Sequence, residues 1–149
     1  MATDEATAST EANPSDEGAA LRARLISLLE DLPETRLSKT TPRLGWTLRH
    51  ELSWLAAADE ELRQRLELTA AASEDEPRWR RIRGEAMHEA QELRLAALTA
   101  HLEASGTSLG TSLERHAARL NEPAVSEAQE ALTKHLQGTV TTLEDILGR

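Results

Sequence analysis

Leucine recurs at three- and four-residue spacing along most of this chain, and no other feature limits the fold so strongly. Leu21, Leu25, Leu28, Leu29 and Leu32 share one side of a helix. So do Leu48, Leu52, Leu55, Leu62 and Leu66, with Asp59 standing inside that stripe. A third stripe runs Leu95, Leu98, Leu102, Leu109, Leu113, Ala117 and Leu120, and a fourth Val125, Ala128, Leu132, Leu136, Val140 and Leu143. Strands need alternation and favour β-branched and aromatic residues, yet the chain has no Phe and no Tyr. Ala, Leu, Arg and Glu, all good helix formers, dominate. With 149 residues there is room for one core and not for two. The expectation is an all-α domain built as a four-helix bundle.

Local signals place the boundaries. Residues 1–16, rich in Ala, Thr, Ser and Glu, read as a disordered acidic tail, which leaves the domain at 17–149. Helix one is expected from Glu17 to Leu32, stopped by Pro33. A long linker, Pro33 to Trp46, follows; its length predicts that it packs on the bundle through Leu37, Leu44 and Trp46. Thr47 is a good N-cap for helix two, expected to reach Ala72. Pro77 fits the first turn of helix three. Ser105-Gly106 interrupts that helix, but the stripe continues across it, so one long bent helix to Leu120 is expected. Asn121-Glu122-Pro123 is a break, and a last helix spans Ala124 to Leu147 with Gly148 as its C-cap.

Composition excludes several classes of function. A net charge of -9 opposes binding to nucleic acid or to an anionic membrane. The one basic cluster, Arg78, Arg80, Arg81 and Arg83, reads as a solvated helix start. There is no cysteine, hence no disulfide, thiolate metal site or cysteine nucleophile. No apolar run approaches a membrane span and the first residues do not resemble a signal peptide, so the expectation is a cytoplasmic protein. Fifteen arginines against two lysines suggest a GC-rich bacterial genome.

The segment Thr41-Pro-Arg-Leu-Gly-Trp-Thr-Leu-Arg-His-Glu-Leu-Ser-Trp-Leu-Ala56 resembles the opening of the second helix in the DinB/YfiT-like superfamily. It is most similar to the N-terminal domain of mycothiol-dependent maleylpyruvate isomerases. The likeness is specific over residues 17–66 and loose beyond. It implies a DinB-like bundle with a long linker between helices one and two. It also implies a divalent metal such as Zn or Ni, held by one histidine on helix two and an H-x-x-x-H pair on the last helix. Here the helix-two position is Trp54, and indole has no free lone pair to give a metal. The last helix reads Gly138-Thr139-Val140-Thr141-Thr142 where the pair belongs. The expectation is therefore no metal cofactor, with Trp54 filling the volume of the lost site.

The remaining candidate residues each have a plain structural reading. His88 and Glu92 lie on the backward extension of the Leu95 stripe, which predicts a polar pocket at one end of the bundle; alternatively His88 pairs with Glu85 or Glu92. Asp59 is a metal ligand or general base, or else a buried carboxylate bonded to Arg63 or to an arginine of another helix. His135 flanks the last stripe, and His50 is a rim histidine, while His101 and His116 read as structural. Trp46, Trp54 and Trp79 are expected to supply the largest burials, with Trp46 in the core. The pocket candidates are thus Trp54, Asp59, His88, Glu92 and His135. Three functions remain open. One is a ligand-binding or interaction module that takes a small molecule. Another is a metal- and thiol-dependent transferase or isomerase with ligands moved to His50, His88 or His135. The third is a purely structural helical protein that forms a homodimer through its helix faces.

Overall fold

A computed structural model describes residues 14–43, 45–68 and 75–149, with Pro14 and Ser15 described for the backbone alone. The described residues are all-helical, with no β-strand. Five helices follow in order: α1 (Pro14–Glu30), α2 (Leu48–Glu67), α3 (Glu76–Gln91), α4 (Leu95–Arg115) and α5 (Pro123–Leu147). Short 3-10 turns occupy Glu34–Ser38 and Ala117–Asn121. The first thirteen residues of the expected tail lie outside the described residues, and Pro14 to Asp16 already belong to α1.

Helices α1 and α2 both pack on α4 and α5, so these four enclose the leucines between them. Helix α3 lies against α2. Leu25, Leu28, Leu52, Leu55, Leu62, Leu98, Leu102 and Leu143 have no exposed surface at all. The stripes read from the sequence are therefore the faces that meet, except that the third stops with α4 at Arg115, short of the expected Leu120, and Ala117 is exposed on the 3-10 turn beyond.

The caps follow local chemistry. Thr47 Oγ1 accepts the His50 backbone N–H at 3.3 Å, and His50 Nδ1 accepts the Thr47 N–H at 3.4 Å. This is a capping box with imidazole in the role usually played by Glu or Gln. Asp75 caps α3 through the Arg78 N–H, and Gly148 ends α5 in the left-handed region at φ 71°. At the end of α2 the Arg119 guanidinium donates to the carbonyls of Arg65, Leu66 and Leu68, which the helix leaves unpaired. Leu68 is already extended, so α2 stops short of the expected Ala72.

Helix three departs from expectation. It is two helices, and the break falls at Glu92-Leu93-Arg94 rather than at Ser105-Gly106, which lie inside an unbroken α4. Arg49 of α2 donates to the carbonyls of Gln91 and Leu93, and the Glu34 carboxylate accepts the Leu95 N–H. Distant side chains thus satisfy the backbone groups that the break exposes. The tryptophans also differ. Trp79 is fully buried beneath the Arg65 guanidinium, which lies 4.4 Å from its ring centroid. Trp46, expected in the core, is half-buried on the linker.

Candidate functional site

An open groove of about 480 Å³ lies between α1, α4 and α5, floored by Leu62 of α2. Its depth comes from missing side chains. Gly18, Ala19 and Ala23 on α1 face Gly106 and Gly110 on α4 across it. A Cβ added at Gly18 or Gly110 would meet nothing within 4 Å. Glycine costs a helix interior about 1 kcal/mol relative to alanine, so α1 and α4 give up helix stability on the side that forms the groove. Leu109, Leu113, Leu132 and Leu136 make the far wall apolar, and Gln129 and Thr133 add polar points on α5. Arg22 is the one cation lining it among the described residues.

Arg22 continues from the groove into the protein. Its Nη2 donates to Oδ1 of Asp59, whose Oδ2 accepts the Ser105 hydroxyl at 2.6 Å. Asp59 is 1% exposed, and burial pushes its carboxyl above the usual range against the opposing pull of Arg22 and Ser105. Gly106 makes this reach feasible, since a Cβ there would stand 2.9 Å from Arg22 Nε. Beyond the pair lies a polar cleft of about 210 Å³, lined by Asp59, Glu60, Arg63, His101 and Ser105. A neighbouring cleft of about 330 Å³ shares Glu60, His101 and Ser105 and extends to Glu85 and Glu89 on α3. The Arg22–Asp59 pair therefore partitions an apolar groove from a polar cleft.

A second cluster forms where the linker crosses α2 and α5. An antiparallel bridge pairs Thr40 with Thr47 through the Thr41 N–H to the Trp46 carbonyl and the Leu48 N–H to the Lys39 carbonyl, and it closes a short loop whose turn requires Gly45 at φ 76°. His135 of α5 is buried under this loop. Its Nε2 lies 3.0 Å from Glu51 Oε2 and 3.2 Å from the Glu51 carbonyl, both acceptors, so Nε2 carries the proton. Nδ1 then accepts from Arg43 Nη2 at 3.2 Å. The Trp54 ring stacks on the imidazole at 4.3 Å between centroids, and Arg43 lies over the Trp46 ring at 4.3 Å. Burial holds His135 below the ordinary histidine range, and Glu51 offsets this only in part.

The structure thus brings Trp54 and His135 together and places Asp59 elsewhere, at the partition. His88 and Glu92 are exposed and join neither cluster, because the break after Gln91 turns α3 away from the Leu95 stripe. The pocket expected at that end of the stripe is therefore not formed by them. Asp59 finds its arginine on another helix, at Arg22, while Arg63 pairs with Glu60. Arg22, Glu51, Arg43 and Ser105 were not singled out from the sequence. Glu51 and Arg43 lie inside the motif that marks Trp54, and Ser105-Gly106 reads from the sequence only as a kink. Among the described residues no cluster of three or more His, Asp or Glu side chains is arranged to hold a metal. No described helix is long and apolar enough to cross a membrane. Comparison with protein families, with curated proteins and with solved structures finds no match for this chain.

Proposed function

We propose that this chain is a DinB-like four-helix bundle, with α3 added on its flank, that binds a small apolar molecule in the groove between α1, α4 and α5. The carrying observation is the groove itself. Its volume and its mainly apolar lining with a few polar points are those of small-molecule sites, and helix-weakening glycines keep it open.

The metal that the DinB resemblance implies does not fit the residues present. At the position of the helix-two ligand stands Trp54, its ring covering one face of His135. Both nitrogens of His135 are committed, one donating to Glu51 and the other accepting from Arg43. The alternative enzyme with relocated ligands needs convergent donors. His50 is held in the cap of α2, His88 is exposed on α3 and His135 sits under the linker loop.

Fluorescence titration with phenylnaphthylamine, an uncharged apolar dye, tests the reading. Wild type is expected to give saturable binding, and Gly110→Leu, which fills open space in the groove, to abolish it with an unchanged helical spectrum. Equal binding by both proteins would overturn the proposal.

A further inference from the structure

The polar character of the groove is concentrated in one group, Arg22, and that group is only partly satisfied. A guanidinium carries five N–H donors. Nη2 donates to Asp59, and Nη1 reaches the Leu102 carbonyl at 3.5 Å, the outer limit of a bond. The Nε–H and a second N–H on each terminal nitrogen have no protein acceptor among the described residues. The side chain is 12% exposed and lines the open groove, and no Arg22 nitrogen is both fully buried and unpaired, so these donors face the water that fills the groove. Gly106, which faces the Nε edge, offers them neither a side-chain acceptor nor steric cover. Around this cation the surface is apolar: Ile26, Leu62, Leu109 and Leu136 line the same space. Glu30 and Glu103 also line it, but they are exposed and solvated, where their repulsion is weak.

Resting on the groove reading, we infer that its ligand is an amphiphile with a medium-length alkyl chain ending in a carboxylate. The chain lies along the leucines, and the carboxylate takes the free N–H edge of Arg22. A planar carboxylate matches that edge, because two parallel N–H groups can meet its two oxygens. Asp59 holds the guanidinium from behind and fixes its plane. The head group then gives these water-facing donors charge-assisted bonds, which a hydroxyl head does less well.

The test compares decanoate, decanol and decyltrimethylammonium, each below its aggregation concentration, by calorimetry on the full chain. Decanoate is expected to bind about tenfold to a hundredfold more tightly than decanol, the worth of hydrogen bonds to a charged group. Decyltrimethylammonium is expected to bind no better than decanol. Arg22→Lys keeps the charge and the Asp59 pair but loses the planar edge. It should weaken decanoate binding clearly more than decanol binding, because only decanoate uses the planar edge. The wild-type comparison stands even if that variant folds poorly, and decanoate should also shift the Arg22 Nε–H resonance. Equal binding of decanoate and decanol overturns this inference and leaves the groove reading intact. Failure of all three to bind overturns both.

Discussion

Two glycines one turn apart in α4 should respond differently to the same substitution. Gly106 and Gly110 both lie inside the helix, where Gly→Ala gains about 1 kcal/mol of helix propensity. At Gly110 the added methyl meets nothing within 4 Å, so the gain is realised nearly in full. At Gly106 the methyl would stand 2.9, 3.1 and 3.3 Å from Nε, Cδ and Cγ of Arg22. Those atoms are not free to swing aside, because the guanidinium beyond them is tied to buried Asp59. Overpacking of this kind costs about 1–3 kcal/mol, so Gly106→Ala should be neutral to about 2 kcal/mol destabilising after the propensity gain. Gly110→Ala should therefore melt above wild type and Gly106→Ala at or below it, with about 2–4 °C for each kcal/mol. Thermal unfolding followed by circular dichroism measures this directly. Equal stabilisation by both substitutions would refute the account, since it would mean that Arg22 does not pass Gly106 on its way to Asp59.

Other outcomes follow from the same geometry. Trp79→Ala should cost about 3–5 kcal/mol as a fully buried aromatic, while Trp46→Ala, half-buried and resting on Arg43, should cost clearly less; equal losses in urea unfolding would contradict the placement. His135 has a folded pKa below its unfolded value of about 6.5. The native state then binds fewer protons, so this group's contribution is full above that value and is lost as pH falls through the folded pKa. His135→Gln, which can still donate to Glu51 and accept from Arg43, should flatten that acid-side slope, and an unchanged slope would assign it to other groups. Trp54→His would set a second imidazole beside His135 and Glu51. It should gain a thermal upshift on added Zn that wild type lacks, and no upshift would speak against the family register at position 54.

Much of the framework was legible in the sequence because it is written locally. The leucine stripes, Thr47, Pro77, Pro123 and Gly148 each act within a turn or two of their own position, and apart from the end of the third stripe beyond Arg115 the structure uses each as expected. The break after Gln91 was not legible. It contains neither glycine nor proline, and the partners that stabilise it, Arg49 and Glu34, come from α2 and the linker. Trp79 was hard to place for a related reason: arginines surround it in sequence, and the Arg65 guanidinium that covers its ring comes from α2. The partition at Asp59 was half legible. A carboxylate on an apolar stripe demanded a cation, but nothing in α1 distinguished Arg22 from Arg24, which pairs instead with Glu144 at the surface. The groove was the least legible feature, because a void belongs to three helices at once and to no single pattern.

The most direct test of the groove as a binding site is two-dimensional NMR of the full chain titrated with decanol. The account predicts saturable shifts gathered at Ala19, Ala23, Ile26, Gly110, Leu113 and Thr133, which line one cavity from three helices. It also predicts still resonances at Trp54 and His135, which sit under the linker loop. Shifts centred on Trp54 and His135, or spread evenly over the helices, would contradict it.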